Sequence, residues 1–145
     1  MDVGVEWLVE AAGCPAAPLR DARTITATCQ RILNELDLHV VGSGQVHQFP
    51  DPGGITALYL LTESHLACHT YPEYGVATFN LYCCRMRPAW DWEGRLAECL
   101  GARQVTVRRV LRGATVSADF AEPDPESVEV ASAEFVSVSD PRGTV

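Results

Sequence analysis

The alternation of a core-facing apolar side with an opposite side in two separate segments constrains this chain more than any other feature. In residues 3–11, apolar side chains alternate with Glu6 and Glu10, and residues 75–84 alternate in the same way. This period of two predicts strands that bury one face. Between them, residues 19–36 place apolar side chains at helical spacing, which predicts an amphipathic helix. The chain therefore has to pack a helix stripe against a sheet face.

The other segments extend this arrangement. We expect strands over residues 38–46, 55–61 and 104–111, and a second helix over residues 92–100, which gives the order β-α-β-β-β-α-β. This order predicts an α+β domain in which helices pack on one face of a mainly antiparallel sheet. The length of 145 residues suits one domain, and a hydrophobic fraction of 47% is enough for its core.

We place this domain at residues 1–113 and treat residues 114–145 as an acidic C-terminal extension. Residues 113–145 carry seven acids and one arginine, a net charge of −6. The apolar residues of the tail suffice for one edge strand, and a loose solvated end fits the composition equally well.

No basic face is visible in the sequence, so we do not expect a nucleic-acid partner. No apolar run reaches the roughly 20 residues of a membrane-spanning helix, so we expect no membrane partner. The N-terminus does not read as a signal peptide, so we expect a cytoplasmic protein.

Lysine is absent, since all 11 basic residues are arginines. Enzymes that use pyridoxal phosphate hold the cofactor as a Schiff base on a lysine, so the composition excludes this class. Lysine-dependent aldolase chemistry and phosphate-loop chemistry are excluded for the same reason. The six cysteines include no C-x-x-C pair, so the sequence does not support a zinc ribbon or a thioredoxin-like site.

Residues 62–85, TESHLACHTYPEYGVATFNLYCCR, concentrate the chemically active side chains around an expected break between two strands. One interpretation is metal binding, because imidazole and thiolate suit zinc. Its ligands would be His65, Cys68, His69 and one of Cys83 and Cys84. Successive side chains of an extended chain point apart, which argues against Cys68 and His69 sharing one ion. A second interpretation is structural, with histidines on a polar face and cysteines in the core.

A third interpretation comes from a resemblance to the S-adenosylmethionine decarboxylase proenzyme family in its short bacterial form. The family signature reads E-S-H-x-x-x-H-T-W-P-E, and residues 63–73 read ESHLACHTYPE. The next strand ends at Cys84, twenty residues after Ser64, which is the spacing of the family. The likeness covers most of residues 4–113. It implies a two-layer α/β sandwich and a homodimer of cleaved chains, with the active site near the dimer interface.

The resemblance implies that Ser64 is the precursor of a covalent pyruvoyl group and that the chain cleaves itself between Glu63 and Ser64. Ser64 Oγ would attack the Glu63 carbonyl, and His69 would assist removal of the Ser64 α-proton. Elimination and hydrolysis would then leave the pyruvoyl group. In turnover the substrate amine would form a Schiff base there, and Cys84 would return a proton to the α-carbon. This chemistry needs no lysine, no pyridoxal phosphate and no metal.

The resemblance also suggests a small-molecule substrate and the residues that bind it. S-adenosylmethionine would be converted to the decarboxylated aminopropyl donor for spermidine synthesis. Phe49 matches an aromatic residue that stacks on the adenine, and the partner chain could contribute it. Glu73 matches a carboxylate that holds the ribose hydroxyls, a natural task for two carboxylate oxygens. Tyr71, beside the pocket, replaces the tryptophan of the signature.

Several positions depart from the pattern of the family, and they leave the substrate open. Besides Tyr71, the departures are Glu6-Trp7 for His-Leu, Asn80 for aspartate and Arg85 for glycine. We therefore keep a second hypothesis, a pyruvoyl-dependent arginine or ornithine decarboxylase of the same family. In that enzyme, Glu6 or Glu10 would bind the far end of the substrate. A non-enzymatic metal-binding or structural domain is the third hypothesis.

Overall fold

The computed structural model describes residues 3–113, so both predictions for the acidic extension lie outside the described residues. The strands in that part are β1 (Gly4–Ala12), β2 (Gln45–Gln48), β3 (Ile55–Leu61), β4 (Ser64–Tyr71), β5 (Val76–Cys83) and β6 (Gln104–Arg112). The helices are α1 (Ala16–Leu19), α2 (Ala22–Glu35), α3 (Trp92–Leu100) and a 3₁₀ helix, Pro72–Tyr74. The strands form one sheet in the order β2-β3-β4-β5-β1-β6, and every neighbouring pair is antiparallel.

One face of the sheet packs against the helices and carries the core. The alternating apolar residues of β1 and β5 point to this face, and the buried ones are Val5, Trp7, Val9, Ala11, Ala77, Phe79, Leu81 and Cys83. They share one cluster with buried residues of the two longer helices, Ile25, Cys29, Ile32, Leu33, Trp92, Leu96 and Leu100. The α+β class and the two-layer arrangement are thus confirmed.

The opposite face, called the open face below, is uncovered in the single chain. The strand register places His65 and His69 of β4 on it, together with Glu6 of β1. Leu58 and Leu60 of β3 also lie there, with 47% and 62% of their surfaces exposed. Exposed apolar side chains grouped on one sheet face are typical of a surface that a partner covers.

The expected break between two strands in residues 62–85 is wrong, because this segment contains the complete strand β4. That strand lies between β3 and β5 and is bonded to both. The residue pattern does not reveal β4 as a strand, because Leu66, Ala67 and Cys68 are all buried and interrupt the alternation. A central strand with a short buried run does not show the period of two on which a sequence prediction depends.

Two further predictions need correction. The strand expected over residues 38–46 is displaced to β2, and Val40 makes only an isolated bridge with Leu61. The helix expected over residues 19–36 is divided, because the Asp21 carboxylate caps the start of α2 and accepts a hydrogen bond from the Arg23 N–H at 3.2 Å. A side-chain oxygen at this position satisfies a free N–H of the first turn.

Thr70 fixes β4 to both layers of the fold. Its buried hydroxyl accepts a hydrogen bond from the Ile55 N–H at 2.9 Å and donates one to the Leu19 carbonyl at 2.6 Å. Gly54 lies against the same position, where a Cβ atom would be 2.7 Å from the Thr70 carbonyl oxygen. These contacts hold the loop before β3 beside the end of β4.

Candidate active site

The structure divides the predicted site residues between the two ends of β4. Ser64 begins this strand opposite Cys83, whereas His69 lies opposite Thr78. At about 3.3 Å per residue along a strand, five residues separate Ser64 from His69 by about 16 Å. The group at the first end, called the junction cluster, consists of Glu63, Ser64, Cys84 and Arg87. The group at the other end, called the cavity cluster, consists of Phe49, Thr56, His69, Tyr71 and Glu73.

The junction cluster is built on the hairpin between β3 and β4. Thr62 and Glu63 are the only residues between the paired Leu61 and Ser64. Two-residue hairpin loops usually need positive φ angles within the loop to match the strand twist. Neither loop residue has a positive φ here, and Ser64 itself adopts a φ of 145°. A side chain at such an angle strains the backbone, so Ser64 is strained at the peptide bond where cleavage is expected.

The backbone of Glu63 is also polarised. Its carbonyl oxygen accepts a hydrogen bond from the Cys84 N–H at 2.9 Å. A fixed N–H in this position stabilises the negative charge that develops on a carbonyl oxygen during nucleophilic attack. The structure therefore supplies one of the donors that such an attack requires.

The side chain of Glu63 is held by an arginine. Arg87 Nε donates to Glu63 Oε2 at 3.0 Å, and Arg87 Nη2 contacts the same oxygen. Only 17% of the Glu63 side chain and 19% of the Arg87 side chain are exposed. The hydrogen bond to Glu63 raises the pKa of Arg87, which keeps this guanidinium charged.

The two adjacent cysteines differ in environment. Cys83 is fully buried on the core face, and burial raises its pKa to about 11. Cys84 lies after the end of β5 and is exposed. A thiol that gives a proton to a substrate has to be accessible, so the structure favours Cys84 over Cys83 for this role.

The cavity cluster surrounds a cavity of about 540 Å³. Its lining includes Phe49, His69, Tyr71 and Glu73, together with residues of the loop before β3. Phe49 is 51% exposed and contacts the His47 ring edge-on at a centroid distance of 4.6 Å. All four cavity residues predicted from the sequence therefore share one concave surface.

His69 is oriented by a threonine of the neighbouring strand. Its Nδ1 lies 3.0 Å from Thr56 Oγ1, within hydrogen-bonding distance. This contact leaves Nε2 as the ring nitrogen available for proton transfer. Thr56 has only a weak signal in the sequence, as a polar residue near the start of the apolar run 55–61.

Comparison with known proteins agrees with the motif. The family model described as S-adenosylmethionine decarboxylase matches residues 5–113. This chain belongs to that family. The S-adenosylmethionine decarboxylase proenzyme of Picrophilus torridus is 30% identical over 128 residues, which are 86% of this chain and 95% of that protein. The proenzyme of Acetivibrio thermocellus is 34% identical over 116 residues, which are 77% and 89% of the two chains.

A solved structure shows the same fold. The crystal structure of the adenosylmethionine decarboxylase from Aquifex aeolicus matches with a TM-score of 0.63 and 24% identity. The match covers 77% of this chain and 92% of that chain. The sheet and its helices are therefore those of the decarboxylase family.

Two of the departures from the family pattern, Glu6 and Asn80, meet in a polar network on the open face. Asn80 Oδ1 lies 3.0 Å from His65 Nε2, and Asn80 Nδ2 donates to Glu6 Oε1 at 2.6 Å. Arg112 Nη1 donates to Glu6 Oε2 at 2.5 Å. The Asn80 hydrogen bond, with Arg112 beside it, lowers the pKa of Glu6 below its usual range. Two of the unusual residues thus serve as partners for each other.

The suggested metal ligands do not converge. Cys68 is fully buried among the core residues, whereas His65 and His69 lie on the open face. Within residues 3–113, no group of three or more His, Cys, Asp or Glu side chains is arranged to hold a metal ion. Within the same residues, no helix is long and apolar enough to span a bilayer.

Proposed function

We propose that this chain is a self-processing, pyruvoyl-dependent decarboxylase that acts on S-adenosylmethionine. The observation that carries the proposal is the strained Ser64, which follows a Glu63 carbonyl already bonded to the Cys84 N–H. Membership of the S-adenosylmethionine decarboxylase family supports both the reaction and the substrate.

Self-cleavage begins when Ser64 Oγ attacks the Glu63 carbonyl carbon, while the Cys84 N–H stabilises the oxygen that becomes negative. The C–N bond then breaks, and Glu63 is joined to Ser64 by an ester. His69 takes the Ser64 α-proton, and the Cβ–O bond breaks to release the Glu63 carboxylate. The remaining dehydroalanine takes up water and loses ammonia, which leaves a pyruvoyl group at residue 64. The strain at Ser64 favours the first step because the ester relieves it.

The pyruvoyl group supplies the electron sink that accepts the electron pair left behind when carbon dioxide departs. The side chains of this chain bind the substrate and move protons. Cys84, exposed beside the junction, donates a proton to the substrate α-carbon after carbon dioxide has left.

We further propose that the working enzyme is a homodimer of cleaved chains. Within one chain, His69 is about 16 Å along β4 from the Ser64 α-carbon, too far for proton transfer. A second copy that packs its open face on the first could bring its cavity cluster to the junction cluster. The exposed Leu58 and Leu60 on that face support such packing. In this dimer, the partner's His69 and the partner's Phe49 complete each site.

The cavity fits the parts of S-adenosylmethionine that distinguish it from other amino acids. A half-exposed Phe49 offers a face to the purine, and stacking of a base on an aromatic ring is worth about 1–3 kcal/mol. Glu73 offers two oxygens to the ribose diol. Tyr71, which is 42% exposed, can attract the sulfonium cation, a contact worth about 0.5–2 kcal/mol.

The alternative substrates, arginine and ornithine, fit less well because they have no purine and no diol. Their far ends would need a free carboxylate. Glu6 is already paired with Arg112 and Asn80, and Glu10 is paired with Arg108 at 2.6 Å. The charges that this hypothesis requires are therefore largely neutralised within the chain.

An intact mass spectrum of the purified protein tests the processing. We expect two chains, residues 1–63 and residues 64–145 with a pyruvoyl N-terminus. A fully active decarboxylase that remains one uncut chain would contradict the proposal.

Release of labelled carbon dioxide from carboxyl-labelled substrates tests the specificity. We expect release from S-adenosylmethionine and none from arginine or ornithine. Release from arginine or ornithine alone, lost in Glu6→Gln, would favour the amino-acid decarboxylase and leave the processing chemistry unchanged.

A further inference from the structure

We propose that Arg87 is a positioning residue for self-cleavage, which holds Glu63 in the geometry that Ser64 attacks. This inference rests on the proposed function, since it concerns the same Glu63–Ser64 peptide bond. Nothing in the sequence pattern singles out Arg87, and its role depends on where the segment after β5 passes the β3–β4 hairpin.

One short segment holds Glu63 at two points. Cys84 donates its N–H to the Glu63 carbonyl at 2.9 Å, and Arg87, three residues later, binds the Glu63 carboxylate through Nε at 3.0 Å. Backbone and side chain of Glu63 are therefore fixed by the same segment. Both charged side chains are more than four-fifths buried, so water screens this ion pair less than the exposed pair of Glu10 and Arg108.

This double contact maintains the strain at Ser64. A residue at a φ of 145° relaxes unless the surrounding structure prevents it. The hairpin loop is only two residues long, and rotation of Glu63 is the simplest way to release the strain. Arg87 resists that rotation from the side chain, while the Cys84 N–H resists it from the backbone. Without the guanidinium, the carbonyl carbon shifts away from Ser64 Oγ.

Arg87 also suits the charge that cleavage creates. When the bond breaks, Glu63 acquires an α-carboxylate in addition to its side-chain carboxylate. A guanidinium has five N–H donors, and Nε and Nη2 account for those directed at Glu63 Oε2. Further donors remain for the new carboxylate, so the same residue that orients the bond stabilises its product.

The first test follows the conversion of freshly synthesised proenzyme into its two chains over time by intact mass. Because misplacement by about 1 Å can cost on the order of 10²-fold in rate, we expect Arg87→Ala to slow cleavage about 10- to 100-fold. Arg87→Lys keeps the charge without the planar fork, so its rate should lie between the two. Arg85→Ala is the matched control, since Arg85 is exposed and forms no ion pair among the described residues.

A double-mutant cycle separates positioning from general damage to the fold. Glu63→Gln removes the other partner, so Arg87→Ala combined with Glu63→Gln should cleave no more slowly than the slower single variant. The turnover number per pyruvoyl group should stay close to the wild-type value in whatever fraction of Arg87→Ala has been cleaved. Additive effects of the two changes, or cleavage of Arg87→Ala at the wild-type rate, would overturn the inference. Failure of the wild-type chain to cleave would instead overturn the proposed function.

Discussion

The junction cluster and the cavity cluster lie on the same strand but are built in opposite ways. At the junction, two backbone features, a strained φ at Ser64 and a hydrogen-bonded Glu63 carbonyl, are supported by a largely buried ion pair of side chains. At the other end, side chains such as Phe49 and His69 line an open cavity of about 540 Å³. The first end is suited to break one bond in its own chain, and the second is suited to receive a ligand. Under the proposed mechanism, neither end is complete by itself.

The strongest test of whether the two clusters meet across a dimer is to place one defect, at Ser64, in one chain and the other defect, at His69, in its partner. Ser64→Ala lacks the nucleophile, and His69→Ala lacks the proton acceptor, so neither should cleave when expressed alone. Co-expressed, the mixed dimer should contain one site with an intact Ser64 and the partner's His69. We expect His69→Ala chains to be cleaved only in the mixture, with intact mass as the measurement.

Differential tags on the two chains provide the control, because only the chain that retains Ser64 should be cut. If His69→Ala is never cut in the mixture, the two ends do not meet across a dimer. If His69→Ala is cut when expressed alone, then His69 is not needed for processing.

Within the junction cluster, Cys84→Ala should separate formation of the pyruvoyl group from turnover of the substrate. We expect this variant to cleave but to lose turnover by about 10²- to 10⁴-fold, the usual cost of removing a positioned proton donor. The backbone N–H that bonds the Glu63 carbonyl remains in the variant, so processing should survive. A substitution of the buried Cys83 by alanine is the matched control. Full turnover by Cys84→Ala together with no turnover by Cys83→Ala would show that Cys83, and not Cys84, donates the proton.

In the cavity cluster, Phe49→Ala should weaken substrate binding and leave self-cleavage unchanged. Loss of base stacking worth about 1–3 kcal/mol corresponds to a rise in KM of about 5- to 150-fold. Steady-state carbon dioxide release from S-adenosylmethionine measures it, with Tyr74→Ala as a control at a residue that is 75% exposed. A slower cleavage rate in Phe49→Ala would show that Phe49, and not only His69, takes part in processing.

The smallest expected effect concerns the Glu6 network, which lies on the open face between these ends. Because folding lowers the pKa of Glu6, its contribution is present above its unfolded pKa and is lost as the pH falls through the folded value. Glu6→Gln should therefore be less stable by about 1 kcal/mol near neutral pH, and the difference should begin to shrink as the pH falls to the unfolded value of about 4.3 and should vanish only below the lowered folded pKa. Urea unfolding at several pH values measures this, and a constant difference would argue against the ionised carboxylate as its cause.

The sequence predicts the fold well where periodicity is clean and poorly where burial interrupts it. An apolar residue recurs at every second position from Val5 in β1 and from Ala77 in β5, so the faces of both strands are predicted residue by residue. Strand β4 escapes prediction because three successive buried residues interrupt the alternation. The division of the helical segment depends on the Asp21 cap, whose carboxylate competes locally with a continuous helix.

The candidate site, too, is only partly predictable from the sequence. Motif spacing singles out Ser64, His69 and Cys84, but spacing along a chain does not give distance in space. That the first two occupy opposite ends of one strand follows only from the sheet register. Arg87 and Thr56 contact residues of neighbouring segments, and a single sequence gives little or no signal of such contacts.

The strand order determines what the cut does to the molecule as a whole. Residues 1–63 contain β1, β2 and β3, while the later fragment contains β4, β5 and β6. Because β1 lies between β5 and β6, and β3 is bonded to β4, the two fragments interlock within a single sheet. Before the proposed cleavage, all six described strands belong to one chain, so the sheet of a protomer can form without an encounter between fragments. After it, unfolding would release two separate chains, so recovery would require an encounter between fragments as well as between protomers, and the melting temperature would depend more strongly on concentration. The proposed maturation would thus turn a sheet that one chain can form into one that has to be reassembled from two fragments.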